Sequence, residues 1–350
     1  MSLGPLMLDL EGTHLTDEER ELLQHPSVGG VILFSRNYEA PEQLRELTTA
    51  VHALRSPRLL LAVDHEGGRV QRFRDGFTAL PAMGRLGEVA DRDRRHAKQL
   101  ARDTGWMMAA ELRALGVDLS FAPVLDLDRG VSSVIGDRAF HQDPERVADL
   151  AHAYMQGMHD AGMAATGKHF PGHGSVAADS HVDMPVDERD LVDILNEDGL
   201  AFERLIHYGI AAVMPAHVLY PRVDDYPPGF STVWLRSILR GRLGFQGAVF
   251  SDDLSMAGAS VVSHSCVERA RRALQAGCDM VLVCNDRASA TRVAEAIQDY
   301  NDPVAHARLA RMHGRSALSW KDLHRDPKWR QISAALSRYS SDDSLEFDFD

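Results

Sequence analysis

The residues best suited to chemistry fall in one stretch, AATGKHFPGHGSVAADSH at positions 164–181. Lys168, His169, His173, Asp179 and His181 bring an ammonium, three imidazoles and a carboxylate within fourteen positions. Imidazole titrates near neutrality, so it can both give and take a proton. An aspartate two residues before a histidine, as Asp179 stands to His181, can fix the ring's tautomer and favour its protonated form. Pro171, Gly172 and Gly174 oppose a helix here. The stretch reads as a strand tip followed by a loop from Gly172 to His181. Its glycines permit the backbone changes that would bring a proton donor onto a bound substrate.

Other ionisable groups end apolar runs elsewhere: Asp64, Asp126, His217 and the adjacent Asp252 and Asp253. Two chemistries fit this set. A zinc site could draw on His169, His173, His181, His217 and the aspartates. Against it, the end of the first apolar run reads Asp9-Leu10-Glu11, without paired histidines, and the Lys168 ammonium would oppose a divalent ion. We therefore expect no metal and no cofactor. The second chemistry is glycosyl transfer. Asp252 or Asp253 would attack an anomeric carbon, and His181, held by Asp179, would protonate the leaving oxygen. Asp253 is expected to cap a helix after its strand and Asp252 to face the site, although the reverse stays open. Glu66, Asp126, Asp128 and Asp137 are expected to be supporting groups.

Eight short apolar runs must position these residues: 5–10, 30–35, 59–64, 117–126, 164–170, 211–218, 247–253 and 280–285. Helical patterns separate them. Thr16 and Glu19 form a capping box, Pro41 opens a helix with Leu44, Leu47 and Val51 on one face, and Asp143 caps another with Pro144 at its first position. Further helices are expected over 91–115, 187–209 and 232–242. This alternation predicts a parallel sheet, and eight units in about 320 residues fit a single-domain (β/α)8 TIM barrel. An open doubly wound sheet would favour a GxGxxG loop after the first strand, and LDLEGTHL has none. On the barrel, Asp64, Asp126, Lys168, His169, His217, Asp252 and Asp253 all lie at C-terminal strand ends, the face that carries barrel active sites. The barrel domain is expected to span 1–320, with 321–350 a partly ordered extension.

The 350 residues are 44% hydrophobic and 25% charged, which argues for a globular chain. A net charge of −13 disfavours nucleic acid or an anionic membrane as partner. Three cysteines without a CxxC pattern suggest a reducing compartment. No run is long enough to span a bilayer, and the N-terminus lacks a basic leader. These features predict a cytoplasmic protein acting on a small molecule; a monomer is expected, with the oligomeric state left open by the sequence.

At the reactive positions the chain resembles the bacterial β-N-acetylglucosaminidases of the third glycoside hydrolase family. KHFPGHG at 168–174, DSH at 179–181 and FSDDLSM at 250–256 carry the resemblance. MLDLEG, DHEGGRVQRF, GDRAF and VMPAHVLY follow in the same order, so the likeness covers about 5–290. The short form is most similar to the cytoplasmic enzymes of peptidoglycan recycling. The resemblance implies a retaining exo-hydrolase that releases N-acetylglucosamine from GlcNAc-1,6-anhydro-N-acetylmuramic acid, with or without its peptide. It implies Asp252 as nucleophile, His181 and Asp179 as the acid/base dyad, and Asp64, Arg72, Arg138, Lys168 and His169 as sugar-binding residues. Asp64 with Arg72 and Lys168 with His169 would each grip adjacent hydroxyls. One departure is His65, where many relatives have glutamine. A phosphorylase is the alternative, since a histidine donor does not repel an anionic acceptor.

Overall fold

The structure, a computed structural model, describes residues 3–176, 184–315 and 317–340. Each apolar run becomes a strand: β1 (Leu6–Asp9), β2 (Val28–Leu33) and β3 (Leu60–Val63), then a small antiparallel hairpin of β4 (His65–Gly67) and β5 (Val70–Gln71), then β6 (Leu119–Ser120), β7 (Thr166–Phe170), β8 (Ala212–Pro215), β9 (Ala248–Asp253) and β10 (Met280–Val283). Apart from the hairpin, the strands pair in parallel in the order β6-β3-β2-β1-β10-β9-β8-β7. The two ends of this order meet. Val124 bridges Lys168 in parallel register, the Thr166 amide donates to the Ala122 carbonyl at 2.8 Å, and the Leu125 amide donates to the Lys168 carbonyl at 2.6 Å. Closure leaves no free sheet edge, and helices wrap the outside, as in a (β/α)8 barrel.

Parallel strands buried on both faces serve two cores. Leu6, Leu8, Leu61, Val63 and Val249 pack outward with the helices. Met7, Leu60, Ala62, Phe121, Phe250 and Leu282 fill the interior. Neighbours along one strand therefore belong to opposite sides, and this parity decides what each strand end presents.

The helix signals act as read. The Thr16 hydroxyl accepts from the Glu19 amide while Glu19 accepts from the Thr16 amide. Asp143 caps Pro144–Asp160. Three boundaries differ from expectation. The stretch 91–115 is the end of one helix, Met83–Arg92, followed by a second, Arg94–Ala114, because Asp93 stops the first and caps the second. The stretch 187–209 is helical only from Leu191 and breaks at Glu197. The fourth run is regular strand for just Leu119–Ser120, since Pro123 has no amide to lend a ladder.

The C-terminal segment adds helices Trp320–Leu323 and Pro327–Leu336. Trp329 donates to Glu111 at 2.9 Å, and Glu111 also accepts from Thr78. Trp320 packs on Phe77 at 5.2 Å, and Phe77 on His65 of the hairpin at 5.5 Å. These helices thus brace the hairpin, which bears on the site below. Residues 341–350 lie outside the described residues.

Candidate active site

Inward parity, continued one step past the barrel core, selects the reactive groups. Leu60 and Ala62 lead to Asp64, and Ala248 and Phe250 lead to Asp252. Over a floor of Ile32, Phe121, Met214 and Leu282 lies a cavity of about 360 Å³. Asp64, Arg72, Arg138, Lys168, His169 and Asp252 line it together, so six of the eight residues singled out from sequence converge. The other two, Asp179 and His181, lie outside the described residues.

Inside the cavity a third carboxylate, Glu66, joins the residues of the two expected hydroxyl-gripping sets. Lys168 Nζ lies 2.7 Å from Asp64 Oδ1 and 2.7 Å from Glu66 Oε1. Arg138 forks onto Glu66, with Nε to Oε2 at 2.7 Å and Nη2 to Oε1 at 2.8 Å. Arg72 stands 4.0 Å from Asp64. The hairpin turns Glu66 inward to face both cations. Burial alone would raise its pKa, but Arg138 and Lys168 hold it far below the usual carboxylate range. Burial would likewise deprotonate Lys168, yet Asp64 and Glu66 keep its pKa above the ordinary value, so it stays an ammonium.

His169 is held by Asp126. Its Nδ1 lies 2.7 Å from Asp126 Oδ2, and Asp126 Oδ1 accepts the His173 amide at 2.7 Å. Asp126 is wholly buried, and the two histidines outweigh burial to keep it ionised. A carboxylate on Nδ1 leaves Nε2 of His169 for the cavity.

The two adjacent aspartates separate clearly. Asp253 accepts from the Ser255 amide (2.9 Å), the Ser255 hydroxyl (2.7 Å) and the Cys284 amide (3.1 Å). It therefore caps a turn and ties β9 to the end of β10, rather than capping a helix; the short helix at Ala257 has no side-chain cap. Burial raises its pKa to about 6. Among the described residues, Asp252 accepts one backbone bond, from the Asp253 amide at 2.8 Å. Burial would raise it too, but His217, His169, that amide and Lys168 together hold it below the ordinary range. Behind it, His217 stacks on Phe230 and donates from Nε2 to the Asp253 carbonyl at 3.0 Å. Burial lowers the His217 pKa, against the pull of the Asp252 charge.

Glu66 and Asp126 were legible as charges but not as organisers of the site. His65 turns away into Phe73 and Phe77, and burial drives its pKa to about 3. No group of three His, Cys, Asp or Glu side chains among the described residues is arranged to hold an ion.

A closed barrel whose mouth sets an ionised carboxylate opposite a buried carboxylate–ammonium grip has the parts of a glycosidase. Comparison with known proteins agrees. The model of the glycosyl hydrolase family 3 N-terminal domain matches residues 6–313. A β-hexosaminidase of Thioalkalivibrio sulfidiphilus is 60% identical over 348 residues, covering 99% of this chain and all of that one. A β-hexosaminidase of Thiobacillus denitrificans is 61% identical over 318 residues, covering 91% and 88%. Among solved structures, NagZ from Neisseria gonorrhoeae in complex with N-trifluoroacetyl-D-glucosamine superposes with a TM-score of 0.93 at 44% identity, covering 97% and 99% of the two chains. The chain belongs to glycosyl hydrolase family 3.

Proposed function

We propose that this glycoside hydrolase is a β-hexosaminidase that removes terminal β-linked N-acetylglucosamine with retention of configuration. Asp252 is the nucleophile. Its attack on the anomeric carbon forms a glycosyl-enzyme as the bond to the leaving oxygen breaks, and His181, oriented by Asp179, gives that oxygen its proton. A water then attacks the same carbon, His181 takes the water's proton, and Asp252 leaves. Asp64, Lys168, Arg138, Arg72 and His169 hold the sugar's hydroxyls. The observation that carries this reading is the placing of Asp252: its carboxylate lines the cavity and, among the described residues, accepts one backbone bond, beside a neighbour whose carboxylate accepts three.

The cavity is lined from β2, the end of β3 at Asp64, the hairpin, the loop after β6, β7, β8, β9 and β10. A cavity of about 360 Å³ on which side chains from so many strands converge suits a single terminal sugar, which supports exo-action. The natural substrate in this reading is GlcNAc-1,6-anhydro-N-acetylmuramic acid, with or without peptide, in cytoplasmic cell-wall recycling. The quoted motifs support this substrate, and the named relatives support the hexosaminidase activity. Three free, buried cysteines suit a reducing compartment, and no described helix is long and apolar enough to cross a membrane. The phosphorylase alternative draws no support from the relatives. Hydrolysis of an aryl β-N-acetylglucosaminide, with products analysed with and without phosphate, tests the reading. Free N-acetylglucosamine under both conditions is expected; the sugar 1-phosphate, or no turnover, would overturn it.

A further inference from the structure

The hairpin that carries Glu66 stands outside the barrel sheet, and two strands alone are marginal in water. Yet the hairpin supplies Glu66, Arg69 and Val70 to the cavity, with Arg72 one residue past its end. Two routes of contact lead from it to the C-terminal segment. The first is polar. Gln71 pairs with His65 across the hairpin, donates from Nε2 to the Thr78 carbonyl at 3.0 Å and accepts from the Leu80 amide at 2.9 Å. The Thr78 amide and hydroxyl donate in turn to Glu111, at 3.0 and 2.7 Å, and Trp329 Nε1 donates to the same carboxylate at 2.9 Å. The second route is aromatic. The His65 ring lies 5.5 Å from Phe77, and Phe77 lies 5.2 Å from Trp320. His324 joins the two routes, its ring 4.4 Å from Trp320 and 4.2 Å from Trp329.

The eight barrel strands pair without residues 320–336, so the sheet does not require this segment. Glu111 is buried, and burial raises its pKa against the bonds from Thr78 and Trp329. A carboxylate so placed costs stability. What it provides is one fixed meeting point for the helix Arg94–Ala114, the segment after the hairpin and the C-terminal helices. We infer that Trp320, Trp329 and Glu111 are positioning residues for the sugar site: they set the hairpin so that Glu66 meets Lys168 and Arg138. None of the three lines the cavity. The inference rests on this cavity holding the sugar.

The test uses the purified full-length chain, an aryl β-N-acetylglucosaminide as substrate and N-acetylglucosamine as competitive inhibitor, far below each variant's unfolding temperature. Trp329→Phe removes the N–H donor and keeps a ring. Trp320→Ala removes the ring contact, and Trp320→Phe keeps one. Partial unfolding lowers the amount of active enzyme and hence kcat, whereas a displaced hairpin weakens the hold on sugar. Trp329→Phe and Trp320→Ala should raise KM and the inhibition constant about fivefold with kcat within about twofold, and Trp320→Phe should stay within about twofold of wild type throughout. Glu66→Gln is the reference. Combined with Trp329→Phe, it should raise both constants by less than the product of the single effects, since both changes act on one group. Should that double variant fail to fold, the single variants decide. KM and inhibition constant at wild-type values in Trp329→Phe and Trp320→Ala, even with a lowered unfolding temperature, would overturn the inference, as would single effects that multiply fully in the double variant. If Glu66→Gln leaves both constants unchanged, the reading of the cavity as the sugar site falls and this inference with it.

Discussion

Replacing Glu66 by glutamine should damage both the stability of the barrel mouth and its hold on sugar. Glu66 is 3% exposed and accepts a bidentate fork from Arg138 and a third bond from Lys168. Glutamine keeps the shape but removes the charge and turns an amide N–H₂ toward a cation. Lys168 is then left with Asp64 alone, and Arg138 loses its carboxylate, keeping the Val134 carbonyl at 3.0 Å. Breaking a buried ion pair by neutralising one partner costs about 3–5 kcal/mol. At about 2 °C per kcal/mol for a chain of this size, Tm should fall by roughly 6–10 °C. Loss of the Glu66 charge also tightens Lys168 onto Asp64, withdrawing both from the sugar, so KM should rise about tenfold while kcat changes less. The pH dependence has a definite sign. The folded-state pKa of Glu66 is depressed, so its stabilisation is present above the unfolded carboxylate's pKa and is lost as pH falls through the folded value. Calorimetry and steady-state kinetics from pH 3 to 7 report on both effects. A Tm within about 2 °C of wild type with KM unchanged would refute the reasoning.

Asp253→Asn should keep substantial turnover, and its pH–stability curve should differ from wild type in a particular window. The folded pKa of Asp253 is raised to about 6, so its contribution is fully present below the unfolded aspartate's pKa and fades as pH rises through 6; the variant should lack that slope. Asp126→Asn removes the charge that accepts from the His169 ring and the His173 amide, and should cost about 1.5–3 kcal/mol in denaturant unfolding together with a large loss of kcat/KM. Activity should survive exhaustive chelation, because the Lys168 ammonium already satisfies Asp64 and Glu66; activity lost to chelator and restored by zinc would contradict this.

Much of the barrel was legible because each strand is a short, bounded apolar run and each helix carries its own start signal, as at Thr16 and Asp143. The list of residues at the mouth was legible for the same reason: they end those runs. Their partners were not. A strand buried on both faces does not announce which neighbour turns inward, so the expectation that Asp252 faces the site and Asp253 caps left the reverse open until the interior core fixed the parity through Ala248 and Phe250. Glu66 sits in a two-strand hairpin too short for a periodic pattern, so its turn toward Lys168 and Arg138 left no trace in the sequence. The divided helix at Glu197 was obscured by a continuous helical pattern from 187 to 209. The bracing of the hairpin by Trp320 and Trp329 joins residues more than 200 positions apart in the case of Glu111 and Trp329, beyond the reach of local pattern.

The central claim is that Asp252 forms a covalent bond to the sugar. A fluorinated N-acetylglucosaminyl donor slows both steps, the second more than the first, so the glycosyl-enzyme accumulates. After proteolysis, mass spectrometry locates the added mass. A single labelled peptide containing FSDDLSM is expected, with the sugar on Asp252, and no label in Asp252→Ala. A sugar on Asp253, or no adduct on either aspartate while the enzyme still turns over, would contradict it.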